Sequence, residues 1–334
     1  MDPPAALSAR GADPADSQTG SATSPNGQAV GGGAHPTRGA ALILASALMF
    51  GSYGLWSRLL GPHFANFFQC WTRSLLVTLL LLPFVIGRKA LRRIEKPDRG
   101  WFLVFMIFTA ATQAPIYYAF NHMDIGTATL LFYVTSLLTM YVVGVAFLGE
   151  KLERAKVASF VLACVGMYVL FSFSLARFAP LAAVMAVVNG VASGGELAFS
   201  KKLSGRYPAL SLVLWSWVAV AVTSLALSLA LGEPQVAPSL IAPWFWLLGF
   251  AIASLFGFWL VIAGLAQVDA SLGGLLGLLE IVFGVGFGIA FFHERLGARV
   301  ALGGGLIVLA AALPPLADLG RSRPGRLNPK STNS

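Results

Sequence analysis

Ten apolar runs, each about twenty residues long, divide the chain: 39–60, 66–87, 101–120, 125–148, 157–175, 180–200, 208–231, 243–266, 270–292 and 299–317. Twenty residues is the length an α-helix needs to cross the hydrocarbon layer of a bilayer. None of the runs alternates apolar and polar at every second position, as a transmembrane β-strand would. The pattern predicts an all-α membrane protein of ten transmembrane helices with short loops. Residues 1–37 are rich in Ala, Gly, Pro and Ser, a composition that cannot bury enough surface to fold, so a disordered tail is expected there. Residues 318–334 read as a second polar tail, basic in character.

The runs repeat. Shifted by 144 positions, the first half aligns with the second without a gap: Gly51 on Gly195, Trp71 on Trp215, Gly144 on Gly288, Phe147 on Phe291, Glu150 on Glu294 and Leu152 on Leu296. Charge sign is kept where Arg58 meets Lys202 and Lys151 meets Arg295. The predicted units are 39–175 and 180–317, with five spans each. Five is odd, so the second unit enters the membrane upside down. Inverted repeats are the architecture of alternating access, with a binding site near the midplane between them.

Composition supports the membrane reading. Only 11% of residues are charged and 57% are hydrophobic, whereas a soluble domain carries about a quarter charged residues. The net charge of +9 would point to nucleic acid in a soluble protein. Here Lys and Arg sit between the runs and act as topology signals, so the partner is the lipid bilayer and no nucleic acid is expected. With the basic loop 88–99 inside, 18 basic residues fall on the cytoplasmic side and 3 outside. The positive-inside rule then places both termini in the cytoplasm and the chain in the cell membrane.

The half-ends "FLGEKLERAKVASFVLACVGMYVL" (147–170) and "FFHERLGARVALGGGLIVLAAAL" (291–313) share an aromatic, a Glu, a basic residue, Leu and then a small-residue apolar span. With "GLLEIVFGVGFG" (277–288) and the openings "FGSYGLWSRLLG" and "WTRSLLVTLLLL", they resemble the EamA repeat of the drug/metabolite transporter superfamily. Where that family often has Glu-Pro, Ile281 follows Glu280, and Ser136 holds the matching place in the first half. The resemblance covers about residues 39–317. It implies ten helices in two inverted halves, a central cavity and transport of a small organic metabolite.

Candidate working residues follow from charge and polarity inside the spans. Glu280 is central in the ninth span, where a charge costs about 2.5–3.5 kcal/mol on insertion scales unless it faces a cavity, a cation or a proton. A carboxyl there suits a proton-coupled carrier; the plain alternative is a neutral Glu bonded to a neighbouring helix. Glu196 lies in the sixth span within side-chain reach of Lys201 or Lys202. Arg73 lies inside the second span, where it would neutralise a carboxylate, hold an anionic group, or snorkel outward. Gln113 and Tyr117 cluster in the third span, and Asn189, Trp217 and Trp259 also fall inside spans. Aromatic groups with one or two carboxylates favour an organic cation or zwitterion. Glu150 and Glu294 each precede a helix start and read as structural loop residues, their carboxylates accepting helix-terminal amide hydrogens. Gly190 and Gly194, Gly273 and Gly277, and Gly284 and Gly288 have the spacing of four that lets helices approach closely.

The function classes separate on what is missing from the pattern. An enzyme needs a nucleophile, base or metal set within mutual reach, and the histidines at 35, 63, 122 and 293 are scattered through tails and loops. No cofactor motif or metal-ligand spacing occurs, and no glycine-rich phosphate loop, so neither cofactor, metal nor ATP drive is expected. The expectation is a secondary transporter, an exporter of an amine or amino-acid-like metabolite, with protons as candidate coupling ion. The alternative is a membrane sensor or scaffold that transports nothing. Substrate identity, direction of transport, coupling ion and oligomeric state are left open.

Overall fold

The computed structural model of the protein describes residues 36–123, 125–171, 179–236 and 238–321. The tail expected at 1–37 lies outside these residues apart from Pro36 and Thr37, as does the basic tail beyond Arg321. Ten helices long and apolar enough to cross a membrane occur among the described residues. They are α1 (Pro36–Leu60), α2 (Asn66–Gly87), α3 (Lys96–His122), α4 (Ile125–Leu148), α5 (Arg154–Phe171), α6 (Pro180–Ser204), α7 (Ala209–Ala230), α8 (Ala242–Leu265), α9 (Ala270–Phe292) and α10 (Ala298–Ala317). Large side chains such as Leu79, Phe84, Leu103, Val161, Val222 and Phe245 stand exposed along them. In water so extensive an apolar surface would aggregate; in lipid it is the solvated face.

The halves are held together by each other. The most extensive packing joins α5 to α10, α2 to α7, α4 to α6, α1 to α9, α3 to α6 and α1 to α8. Every one of these pairs crosses between the halves. Exchanging each helix for its counterpart five places on returns the same set, the mark of a pseudo-two-fold axis. α2 and α7 are each other's counterparts, so the axis passes between them.

Three spans break in mid-membrane. α1 is interrupted at Ser52, α3 between Ala110 and Ala114, and α9 at Leu278. In α3 the cause is Pro115, which lacks an amide hydrogen and crowds the carbonyl four residues earlier. In α1 the Ser52 hydroxyl bonds back to the Met49 carbonyl at 2.6 Å, a bond that competes with the helix ladder. Non-helical backbone is tolerated at membrane depth only beside protein or a wet cavity, and all three breaks adjoin cavity-lining residues.

Closest approach falls on α6. A Cβ added at Gly190 would lie 1.9 Å from the Thr135 hydroxyl oxygen and 2.4 Å from the Phe132 carbonyl oxygen, and one at Gly194 2.3 Å from the Ser136 carbonyl oxygen. Backbone cannot yield cheaply there. Gly190→Ala will therefore destabilise the fold by about 1–3 kcal/mol, seen as a lower melting temperature in detergent. Gly277→Ala meets nothing within 4 Å and will change stability by less than about 0.5 kcal/mol.

Candidate functional site

Both halves wall a central cavity of about 490 Å³, within the range of small-molecule sites. Its lining includes Tyr53, Cys70, Arg73, Gln113, Tyr117 and Tyr133 from the first half and Asn189, Glu196, Trp217, Phe250 and Glu280 from the second. It reaches from Ser57 and Tyr117, near one end of the bundle, to Val261 and Gly273 near the other. That second end also carries the loops 88–99, 149–153 and 205–208 and is called the basic end below.

Three acidic or basic side chains among the described residues line this space. Arg73 is 8% exposed. Its guanidinium carbon lies 4.1 Å from the ring centre of Phe250, 5.5 Å from Tyr53 and 5.6 Å from Trp217. It neither snorkels nor neutralises a carboxylate among the described residues. Trp217 is the position 144 residues on from Arg73, so the two counterparts meet at the pseudo-axis. Glu196, on α6, is buried and accepts a 2.9 Å hydrogen bond from Thr109 of α3. Ser216 lies on the same carboxyl, but its hydroxyl has no aligned partner in this conformation. Glu280, at the break in α9, is half-buried, and the Tyr133 hydroxyl of α4 approaches its carboxyl closely enough to interact. Ser136, its counterpart in the first half, lines the same cavity.

The remaining expected residues divide. Gln113 accepts a bond from the Cys70 thiol at 3.2 Å, and Tyr117 packs edge-on against Phe67 with ring centres 5.0 Å apart. The Asn189 carbonyl oxygen and the Trp217 indole N–H are buried without a partner among the described residues. Trp259 does not belong to the group. It packs against Phe256, which is exposed on the lipid side of α8, because Phe258 and Val261 hold the cavity face of that helix.

Several local readings also change. Glu196 meets neither lysine: Lys201 pairs with Glu150 at 2.7 Å, and Lys202 donates to the Phe147 carbonyl and lies over the Trp101 ring. Both ammonium groups turn to the basic end, where water and carbonyls are. Gly277 is no packing contact but cavity wall. Gly288 makes room for the Glu294 carboxylate, as Gly144 does for Glu150. Gly273 packs on Leu265, and Gly284 lies against the Gly51 carbonyl of α1.

Glu150 caps a helix, but not the one that follows it. Its carboxylate accepts the amide hydrogens of Ala270 at 2.5 Å and Ser271 at 3.2 Å and the Ser271 hydroxyl at 3.0 Å. Those residues open α9, in the other half. Lys201 bridges Glu150 to Asp269, and Lys156 of α5 pairs with Asp269 in turn. Four segments are thus tied together at the basic end. A neighbouring tie joins Asp98 to Arg206 at 2.6 Å and to the Tyr207 hydroxyl at 3.0 Å; burial pushes the Tyr207 phenol up, so it stays a donor. Glu294 has the same local backbone, its amide bonding to Gly288 as that of Glu150 bonds to Gly144. Yet its ion pair among the described residues is with Arg58, at 2.5 Å, and both are about half exposed. This latch was missed at the level of sequence, although Asp269 before an apolar run is the signature of a helix N-cap.

The model of the EamA-like transporter family matches residues 37–172 and again 180–313. The chain is 26% identical over 239 residues to the pseudopaline exporter CntI of Pseudomonas aeruginosa, in strain UCBPP-PA14 and equally in strain PAO1, covering 71% of this chain and 82% of the relative. A solved crystal structure superposes with a TM-score of 0.69 over 86% of this chain and 99% of its own, at 19% identity, which shows a shared fold.

Proposed function

The chain belongs to the EamA-like transporter family, and on that premise we propose that it exports a small organic metabolite, an amine or amino-acid-like compound, across the cytoplasmic membrane in exchange for protons. The observation that carries this reading is the unequal state of two equivalent carboxylates at opposite ends of the bundle. Glu150 is sealed into the N-terminus of α9 while Glu294 stands half exposed beside Arg58. An alternating-access carrier needs two such states, each half taking its turn. In the reverse state Glu294 would take the amides of Gly126 and Thr127, the counterparts of Ala270 and Ser271, and Glu150 would let go.

The positive-inside rule makes the basic end cytoplasmic, and there Glu150, Lys201, Asp269 and Lys156 tie four segments together, so we read this conformation as the one latched on the cytoplasmic side. The name of the relative supports export as the direction. The proton role is assigned to Glu280 on the support that it lines the cavity and that no cation pairs with it among the described residues. A sensor or scaffold would give neither the cavity nor the paired gates a task.

Everted membrane vesicles test the proposal. Acidifying their interior will drive pseudopaline or an amino-acid probe inward in vesicles containing the protein, and collapsing the gradient will stop it. Uptake equal to that of empty vesicles for every probe would remove the carrier reading.

A further inference from the structure

Resting on that reading, we propose that Arg73 is the seat for a carboxylate, so that the molecule carried is a zwitterion: its carboxylate anchors on Arg73 and its amine faces Glu280.

The argument starts from an unfilled group. A guanidinium has five N–H donors and is always charged. Among the described residues Arg73 offers them to a single acceptor, the Cys70 sulfur at 3.8 Å, and its Nε–H is buried with none. A residue kept only for structure would be paired, because an uncompensated charge at membrane depth is costly. Carboxyls are available in the same cavity, yet Glu196 is occupied by Thr109 and Glu280 adjoins Tyr133. The neighbours of Arg73 are instead rings: Phe250, Tyr53 and Trp217. Ring faces stabilise the charge and exclude water, but they accept no hydrogen bond in the guanidinium plane. What is missing is a planar, two-oxygen acceptor, and the guanidinium fork fits a carboxylate in that way.

Position adds a second, independent reason. Arg73 and Trp217 are counterparts under the internal repeat and face each other between α2 and α7, where the pseudo-axis runs. If the two halves exchange states about that axis, a point on it is carried back onto itself. A group bound at Arg73 therefore stays in the site whichever gate is open, as a substrate anchor must. Glu280 and Glu196 have Ser136 and Ser52 as their counterparts, so the repeat duplicates neither the cationic nor the acidic groups, and of the two carboxyls Glu196 is taken by Thr109.

The test is ligand stabilisation of purified protein in detergent, read by melting temperature and by quenching of tryptophan fluorescence. The probes are L-histidine, L-phenylalanine and pseudopaline, the first two set against histamine and phenethylamine, which lack the carboxylate. The acids will bind and their amines will bind at least tenfold more weakly. Arg73→Gln will weaken acid binding by about tenfold to a hundredfold, the range of a charged hydrogen-bonded pair. Arg73→Lys, which keeps the charge without the fork, will recover part of it. The proposal is overturned if the amines bind as well as the acids, if Arg73→Gln binds the acids undiminished, if chloride alone gives the whole shift, or if no acid binds at millimolar concentration. Proteoliposomes separate this result from the carrier reading. Acids that bind but never cross would leave the seat standing and remove export; amines that cross where acids do not would do the reverse.

Discussion

Glu150→Ala will open the cavity to the cytoplasm and reduce export to background. The substitution removes two amide bonds and one hydroxyl bond at the start of α9 and the partner of Lys201 in one step. A lost cap costs about 1 kcal/mol, and stranding one partner of a buried pair outright costs about 3–5 kcal/mol, a cost eased here because Lys201 keeps Asp269 at 3.8 Å. The Glu150 side chain is 5% exposed and that of Lys201 18%, so the pair lies near the buried limit. A loss of about 3 kcal/mol in one of two interconverting states shifts their ratio by more than a hundredfold. The measurement is labelling of Ser193→Cys, a cavity position, in a chain with Cys70 and Cys164 replaced by serine, using a reagent that cannot cross the membrane. With Glu150 present it will react only from the outside; with alanine at 150 it will react from the cytoplasmic side as well. Glu294→Ala is the control. Its pair with Arg58 is half exposed and worth no more than about 1 kcal/mol, so this conformation will tolerate the change. Cytoplasmic labelling that does not increase in Glu150→Ala would end the latch interpretation.

Glu280→Gln will abolish gradient-driven transport, by tenfold or more, without lowering the melting temperature. Glutamine fills the same volume and keeps a hydrogen-bonding partner for Tyr133, but it can neither release a proton nor attract an amine. No ion pair is broken, since none involves Glu280 among the described residues. Because proton and amine would use the same carboxyl, driven uptake and substrate exchange will fall together. A Glu280→Gln protein that still concentrates substrate against an imposed pH gradient would exclude Glu280 as the coupling group.

The helices were legible because each is a local fact. The lipid core demands about twenty apolar residues in a row, and the runs supply them; the repeat was visible because ungapped matches such as Glu150 with Glu294 and Arg58 with Lys202 survive in a chain where apolar matches mean little. Arg73, Glu196 and Glu280 stood out because ionisable groups inside a span are expensive. Trp259 falls outside the cavity lining, which the sequence could not show because an indole within a span carries no sign of which face it takes. Glu196 was assigned to lysines next to it in sequence because the competing carboxylate, Glu150, is 51 residues away from Lys201 along the chain.

The sequence alone determined the membrane class, the ten spans, the twofold repeat and the family, since all of these depend on composition and order along the chain. Only the tertiary structure decided that, among the described residues, Arg73 has rings for neighbours and no carboxylate, that Glu150 closes a helix of the opposite half, and that its twin does not. Those relations are set by helix faces meeting across the pseudo-axis. A repeat that carries the same Glu in both halves cannot itself say which of the two is sealed into a helix start.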